Sequence, residues 1–298
     1  MFHRSARPAL QAPAPEISFE LFPPKSDAGL PAFDAAVDAL NAFDPAYFSV
    51  TYGAGGSTRD RTRACVDRVR ARTGRPVAHH LTCVGADRAE IDDMARELWG
   101  SGIRRIVALR GDPPDGAPYV PRPDGYAFAA DLVDGLLKVA DFDLSVSAYP
   151  EVHPQAESAQ SDLDALKRKF DAGAARAITQ YCFDTDTVLR FVDRARAAGI
   201  EGTICPGIMP ISNFKGMARF SERCGAGVPD WLREMFDGLD ETPDVRAMVA
   251  ASVAVEQSRR LAAEGLTEQH FYTLNSAPLT RAICRALGLR ERAAAEAA

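Results

Sequence analysis

Ile106-Val107-Ala108-Leu109, followed at once by Arg110-Gly111-Asp112-Pro113-Pro114, is the stretch on which the fold turns. A short apolar run bounded by polar, Gly and Pro positions reads as a strand buried on both faces, as in a parallel sheet. Such a strand delivers whatever follows it to the carboxyl edge of the sheet, where α/β proteins bind ligands. Here the delivered groups are an arginine and a carboxylate.

The same punctuation recurs on both sides. Strands are predicted at 17–22, 47–51, 77–82, 105–109, 144–149, 176–181, 203–208 and 270–274. Helical periodicity fills the intervals, at 30–43, 58–72, 89–99, 127–139, 163–170, 187–198, 214–224, 245–264 and 279–287. Gly74, Gly102, Gly173, Gly199 and Gly265 each follow an apolar-periodic stretch, as helix stops do. Eight strand-then-helix units make the chain α/β, a single-domain (β/α)₈ TIM barrel, in preference to a doubly wound sheet with fewer strands. The expected limits are a disordered leader at 1–15, the barrel at 16–290 and a frayed tail at 291–298.

Composition narrows the function. The 298 residues carry 35 Lys and Arg against 41 Asp and Glu, a net charge of −6, which argues against a general nucleic-acid binder. No apolar run reaches the ~18 residues of a membrane span. The six cysteines form no CxxC pair and read as reduced, mostly buried thiols of a cytoplasmic protein.

Glu20, Thr51, His80, Arg110, Asp112, Tyr149, His153, Gln180 and Tyr272 all fall at predicted strand ends. So many polar groups there need a ligand or a hydrogen-bond network. Glu20 lies in Phe19-Glu20-Leu21-Phe22, so desolvation is expected to favour its protonated form and suit it to general acid work. A salt bridge, for example to Arg110, is the plainer alternative. Gly53-Ala54-Gly55-Gly56-Ser57 is either a tight turn with a helix cap or a close approach to a ligand. His79 and His80 point to opposite faces of one strand, so only one can enter the barrel. Lys167-Arg168-Lys169 reads either as a solvated helix face or as a cradle for a pyrophosphate.

Several segments, in order from about 17 to 289, resemble the methylenetetrahydrofolate reductase family: Ser18-Phe19-Glu20-Leu21-Phe22-Pro23-Pro24, His80-Leu81-Thr82-Cys83, Ala108-Leu109-Arg110-Gly111-Asp112, Ala148-Tyr149-Pro150-Glu151-Val152-His153-Pro154, Ala177-Ile178-Thr179-Gln180 and Phe271-Tyr272-Thr273-Leu274-Asn275. The length suits the bacterial, catalytic-domain-only form. The resemblance implies a barrel that binds FAD, takes hydride from NADH or NADPH, and passes it to 5,10-methylenetetrahydrofolate in a ping-pong cycle. It implies Glu20 as the acid and Asp112 as the group stabilising the cation that forms. For FAD it implies Thr51, Tyr52, His80, Arg110, Gly111, Asp112, Ala129, Tyr149, His153, Asp162, Arg168 and Lys169. For the folate and nicotinamide substrates it implies Gln180, Phe220 and Tyr272. A homo-oligomer is expected, with the subunit number left open; a nucleic acid, a membrane and a metal are not. Three positions depart from bacterial relatives: Gly216 in place of a glutamine, Ser276 in place of an arginine and Ala165 in place of an asparagine.

Two other chemistries compete. A metal-dependent barrel hydrolase would use His80, His153 and Asp112, although no HxH or HxxxH spacing sets two ligands on one face. Asp184-Thr185-Asp186-Thr187-Val188 matches a phosphatase signature, with Asp184 as nucleophile.

Overall fold

The computed structural model describes residues 13–52, 59–113 and 117–292. The leader to residue 12, the turn at 53–57 and the tail from 293 lie outside them. The strands are β1 (Glu16–Leu21), β2 (Phe48–Val50), β3 (Val77–Thr82), β4 (Arg105–Leu109), β5 (Asp143–Ala148), β6 (Arg176–Thr179), β7 (Thr203–Cys205), β8 (Gly207–Ile208) and β9 (Glu268–Tyr272). Helices α1 (Leu30–Asn41), α2 (Arg59–Thr73), α3 (Arg88–Gly100), α4 (Ala129–Val139), α5 (Ala159–Asp171) and α6 (Thr185–Ala197) alternate with the first strands. Then come α7 (Phe214–Cys224), α8 (Asp230–Phe236), α9 (Pro243–Ala263) and α10 (Ala277–Ala286).

All strand pairings are parallel, in the order β7-β6-β5-β4-β3-β2-β1-β9-β8. β7 and β8 are one barrel strand interrupted at Pro206. Proline has no N–H to give to a ladder, but its carbonyl still accepts from His270 N at 2.9 Å. The ring closes through this split strand, since β7 pairs with β6 and β8 with β9. The eight predicted strands therefore all form, as a TIM barrel. α8 was not foreseen; seven residues are too few to display a helical period.

Alternation sorts each strand between two layers. Outward residues such as Phe19, Leu21, Phe48, Val50, Leu81 and Ile106 are fully buried under the helices. Each such side chain contributes about 1.5–3 kcal/mol of burial. The helices are held in register by caps. Asp87 and Glu90 form a capping box on α3, and Ser158 with Ser161 one on α5, which starts that helix earlier than its apolar pattern alone suggests.

The inward layer is smaller and more polar, with Ser18, Ser49, Ala78, His80, Ser145 and His270 among its buried members. At the amino-terminal end Arg176 bonds Asp143 at 2.6 Å, and Arg105 lies over the Tyr47 ring at 4.9 Å. These contacts fill the amino-terminal end of the barrel interior. Parallel barrels bind their ligands at the other end.

Candidate active site

At the carboxyl edge, a cavity of about 410 Å³ opens between the β4 and β5 loops and α5. That volume lies in the range of small-molecule sites. Arg110, Gly111 and Asp112 reach it from the end of β4, and Ala129 from the start of α4. Tyr149 and His153 reach it from the loop after β5, and Asp162, Arg168 and Lys169 from α5. Nine of the residues named from the sequence for a cofactor thus share one wall. Ala165, a departure from relatives, lines it too.

Gly111 makes the turn into this wall possible. Its φ is +81°, and a Cβ there would come within 2.6 Å of Val84 and 2.8 Å of Thr82. Arg110 donates from Nη2 to Asp112 Oδ1 at 3.1 Å and lies over the Tyr119 ring at 4.6 Å. Lys169 Nζ donates to the Ser147 carbonyl at 2.8 Å. Burial pushes this ammonium down to about 8; Asp162 opposes the fall, while Arg110 and Arg168 add to it. Its remaining N–H groups, with both guanidinium groups, suit a ligand phosphate. Asp162 accepts the His153 backbone N–H at 2.9 Å and so ties the β5 loop to α5. His153 Nδ1 accepts from Gln155 N at 3.0 Å, leaving the ring proton on Nε2.

The barrel mouth beside this cavity holds the second group. Glu20 and Asp112 lie at the same end of the sheet, one next to last in β1 and one just past β4. The aromatic surroundings expected for Glu20 are not what the fold supplies. Phe19 and Leu21 face the helices, and the Glu20 carboxylate faces inward, 21% exposed, among polar groups. His80 Nε2 is 3.5 Å and His270 Nε2 3.7 Å from Glu20 Oε2. Burial drives His80 down to about 4, so this ring is neutral. The alternative salt bridge from Glu20 to Arg110 does not form; Arg110 pairs with Asp112.

Tyr272 stands beside Glu20 in register and donates to the Thr179 carbonyl at 2.7 Å. Gly207 admits its ring, since a Cβ there would meet Tyr272 at 2.4 Å. Tyr181 then links Tyr272, at 6.2 Å edge-on, to Phe220, stacked at 6.3 Å. Phe220 is 47% exposed on α7, and Gln180 Oε1 accepts from Tyr181 N at 3.0 Å. Gln180, Phe220 and Tyr272 therefore share one aromatic ledge. Sequence reading passed over Tyr181 and His270. The signal for His270 was its spacing from Tyr272, two residues on and hence on the same strand face.

Three expected cofactor residues stand apart from the cavity. His80 packs on Glu20 instead. Thr51 accepts from Thr62 Oγ1 at 3.0 Å, and Tyr52 accepts from Arg59 Nε at 3.3 Å. Both border the stretch 53–58, outside the described residues. His79 faces outward, its ring 6.1 Å from Tyr52, as alternation requires.

The competing chemistries lose their geometry. His80 sits at Glu20, whereas Asp112 and His153 line the cavity. Among the described residues no group of three His, Cys, Asp or Glu is placed to hold a metal ion. Asp184 is the N-cap of α6: it accepts from Asp186 N at 2.9 Å and from Thr187 Oγ1 at 2.7 Å. Among the described residues no helix is long and apolar enough to cross a membrane.

Known proteins resemble this chain over nearly its whole length. The sequence profile of the family described as methylenetetrahydrofolate reductase matches residues 6–288. The chain is 48% identical to the 5,10-methylenetetrahydrofolate reductase of Pectobacterium carotovorum subsp. carotovorum, covering 97% of each. It is 47% identical to that of Escherichia coli (strain K12), over 97% of this chain and 98% of the other. Among solved structures, a Clostridium thermocellum protein described as binding two copies of 5-methyl-5,6,7,8-tetrahydrofolic acid superposes with a TM-score of 0.64. It covers 94% of this chain and 96% of its own at 13% identity, a likeness of fold.

Proposed function

The chain belongs to the methylenetetrahydrofolate reductase family, and from that premise we propose that it reduces 5,10-methylenetetrahydrofolate to 5-methyltetrahydrofolate, with FAD as cofactor and NADH or NADPH as hydride donor. The observation that carries this reading is the junction of a cavity that brings Arg110, Arg168 and Lys169 together with a mouth holding one inward carboxyl group. When bound, FAD would supply the means to store a hydride between two substrates that take turns at one site.

The residues present fit such a group. Arg110, Arg168 and Lys169 would hold its pyrophosphate, and Gly111 leaves room for close backbone approach. Glu20 would protonate the departing nitrogen of the folate's five-membered ring, which opens to a cation able to accept hydride. Asp112, with its side chain 77% exposed at the cavity rim, would stabilise that cation and hydrogen-bond the pterin. Gln180 would orient each substrate in turn, and Phe220, backed by the buried Tyr181, would stack on its ring.

Anaerobic spectrophotometry of the purified protein tests the reading. The flavin's visible band should bleach with the nicotinamide donor and return on adding the methylene folate. A protein that cannot be loaded with FAD, or whose reduced form ignores the folate, overturns it.

A further inference from the structure

We propose that His270 is a positioning residue for the acid Glu20, held by Ser18 and Ser49 so that the transferable proton lies on Oε1. This rests on the reading of Glu20 as the proton donor. His270 is 0% exposed on the barrel axis. Three adjacent strands build its surroundings: Ser18 and Glu20 from β1, Ser49 from β2, and the ring itself from β9. Its Nδ1 lies 2.7 Å from Ser18 Oγ, and its Nε2 lies 3.2 Å from Ser49 Oγ. The Tyr47 ring stacks on it at 5.8 Å, and the Tyr272 ring meets it edge-on at 5.6 Å. An imidazole bonded at both nitrogens and clamped on two sides has one orientation.

Ser18 Oγ lies 2.7 Å from Nδ1 and 3.4 Å from the Gln269 carbonyl; the proposal assigns its hydroxyl proton to the nearer Nδ1, which puts the ring proton on Nε2, facing Ser49 and Glu20. Both neighbouring imidazoles address the same carboxyl oxygen. His270 Nε2 is 3.7 Å and His80 Nε2 3.5 Å from Oε2. His80 Nε2 is buried and has no hydrogen-bond partner. An N–H directed at Oε2 makes that oxygen an acceptor, so the acidic proton resides on Oε1. When the Oε1–H bond breaks and the proton joins the lone pair of the departing nitrogen, the charge left on the carboxylate meets the same N–H. The separation of 3.7 Å is longer than a formed hydrogen bond, and such contacts commonly tighten once substrate binds.

The test compares His270→Leu, His270→Gln, Ser18→Ala and Glu20→Gln as FAD-loaded enzymes, with each half-reaction followed by stopped flow. His270→Leu should slow folate reduction roughly tenfold or more, leaving flavin reduction by NADH within a factor of about two and folate affinity unchanged. His270→Gln should recover most of the loss, because its amide N–H reaches near the position of Nε2. In flavin-free protein labelled with ¹³C at glutamate carboxyls, the resonance absent from Glu20→Gln should move in His270→Leu and return in His270→Gln. If His270→Leu does not fold, Ser18→Ala decides, with a several-fold loss confined to the folate step. A folded His270→Leu or Ser18→Ala enzyme with wild-type folate reduction overturns the proposal. So does an equal loss in both half-reactions, which a purely structural plug would cause. Full folate reduction by Glu20→Gln would instead overturn the role of Glu20 itself.

Discussion

The wall between β4, β5 and α5 and the mouth above β1 and β9 share one edge of one barrel, yet they are built on opposite electrostatic plans. The wall gathers Arg110, Arg168 and Lys169, with Asp112 and the Arg168 side chain open to solvent. The mouth sets one carboxyl beside a neutral imidazole and a second imidazole that two hydroxyls hold, most of these groups buried. Binding a charged ligand favours several cations gathered on one wall, even where, as at Lys169, burial costs the charged form until the ligand arrives. Placing a proton favours neutral donors with fixed geometry and little water. One edge accommodates both because each strand end contributes its side chains independently.

The largest expected effect separates the two regions outright. Glu20→Gln should lower folate reduction by ~10²-fold or more while the nicotinamide half-reaction and flavin content persist. Equal damage to both half-reactions would erase the division. Next, Lys169→Met should weaken FAD binding by roughly 10- to 100-fold in a fluorescence titration, with Glu20-dependent chemistry intact in the loaded fraction. The same lysine gives the wall a pH signature. Its pKa is depressed to about 8 in the folded protein. Between pH 8 and its ordinary range near 10.5 the unfolded chain binds the extra proton, so flavin-free stability should rise with pH across that window. FAD affinity should fall as pH passes 8, and Lys169→Met should flatten both trends.

Smaller effects sharpen the boundary. Gly111→Ala forces a Cβ against Val84 and Thr82 at positive φ, and should cost roughly 1–3 kcal/mol, read as a lower denaturant midpoint. Asp184→Ala removes a helix cap away from both regions and should cost about 1 kcal/mol with both half-reactions unchanged. A phosphatase activity of the purified protein that Asp184→Ala abolishes would revive the phosphatase reading.

The barrel was legible because apolar runs such as 106–109 and the stops at Gly74, Gly102 and Gly173 are local signals. The cavity wall was legible through the family resemblance, which named residues on β4, α4, the β5 loop and α5. The surroundings of Glu20 were not. Sequence neighbours suggested phenylalanines, but alternation turns Phe19 and Leu21 away, and the imidazoles beside the carboxylate come from other strands, His80 on β3 and His270 on β9. The break at Pro206 was hidden for a related reason: a proline in an apolar run does not say which neighbours flank it on either side.

The pairing of β1 with β9 joins Ser18 to His270 across 252 positions of chain. A polypeptide leaving the ribosome exposes β1 as an unpaired edge through nearly all of its synthesis, a state prone to mispairing. Only when the segment ending at Tyr272 emerges can that edge be sealed, and only then does His270 reach Ser18 and Glu20. Nascent chains cut short before that point would be left with an exposed template for aggregation.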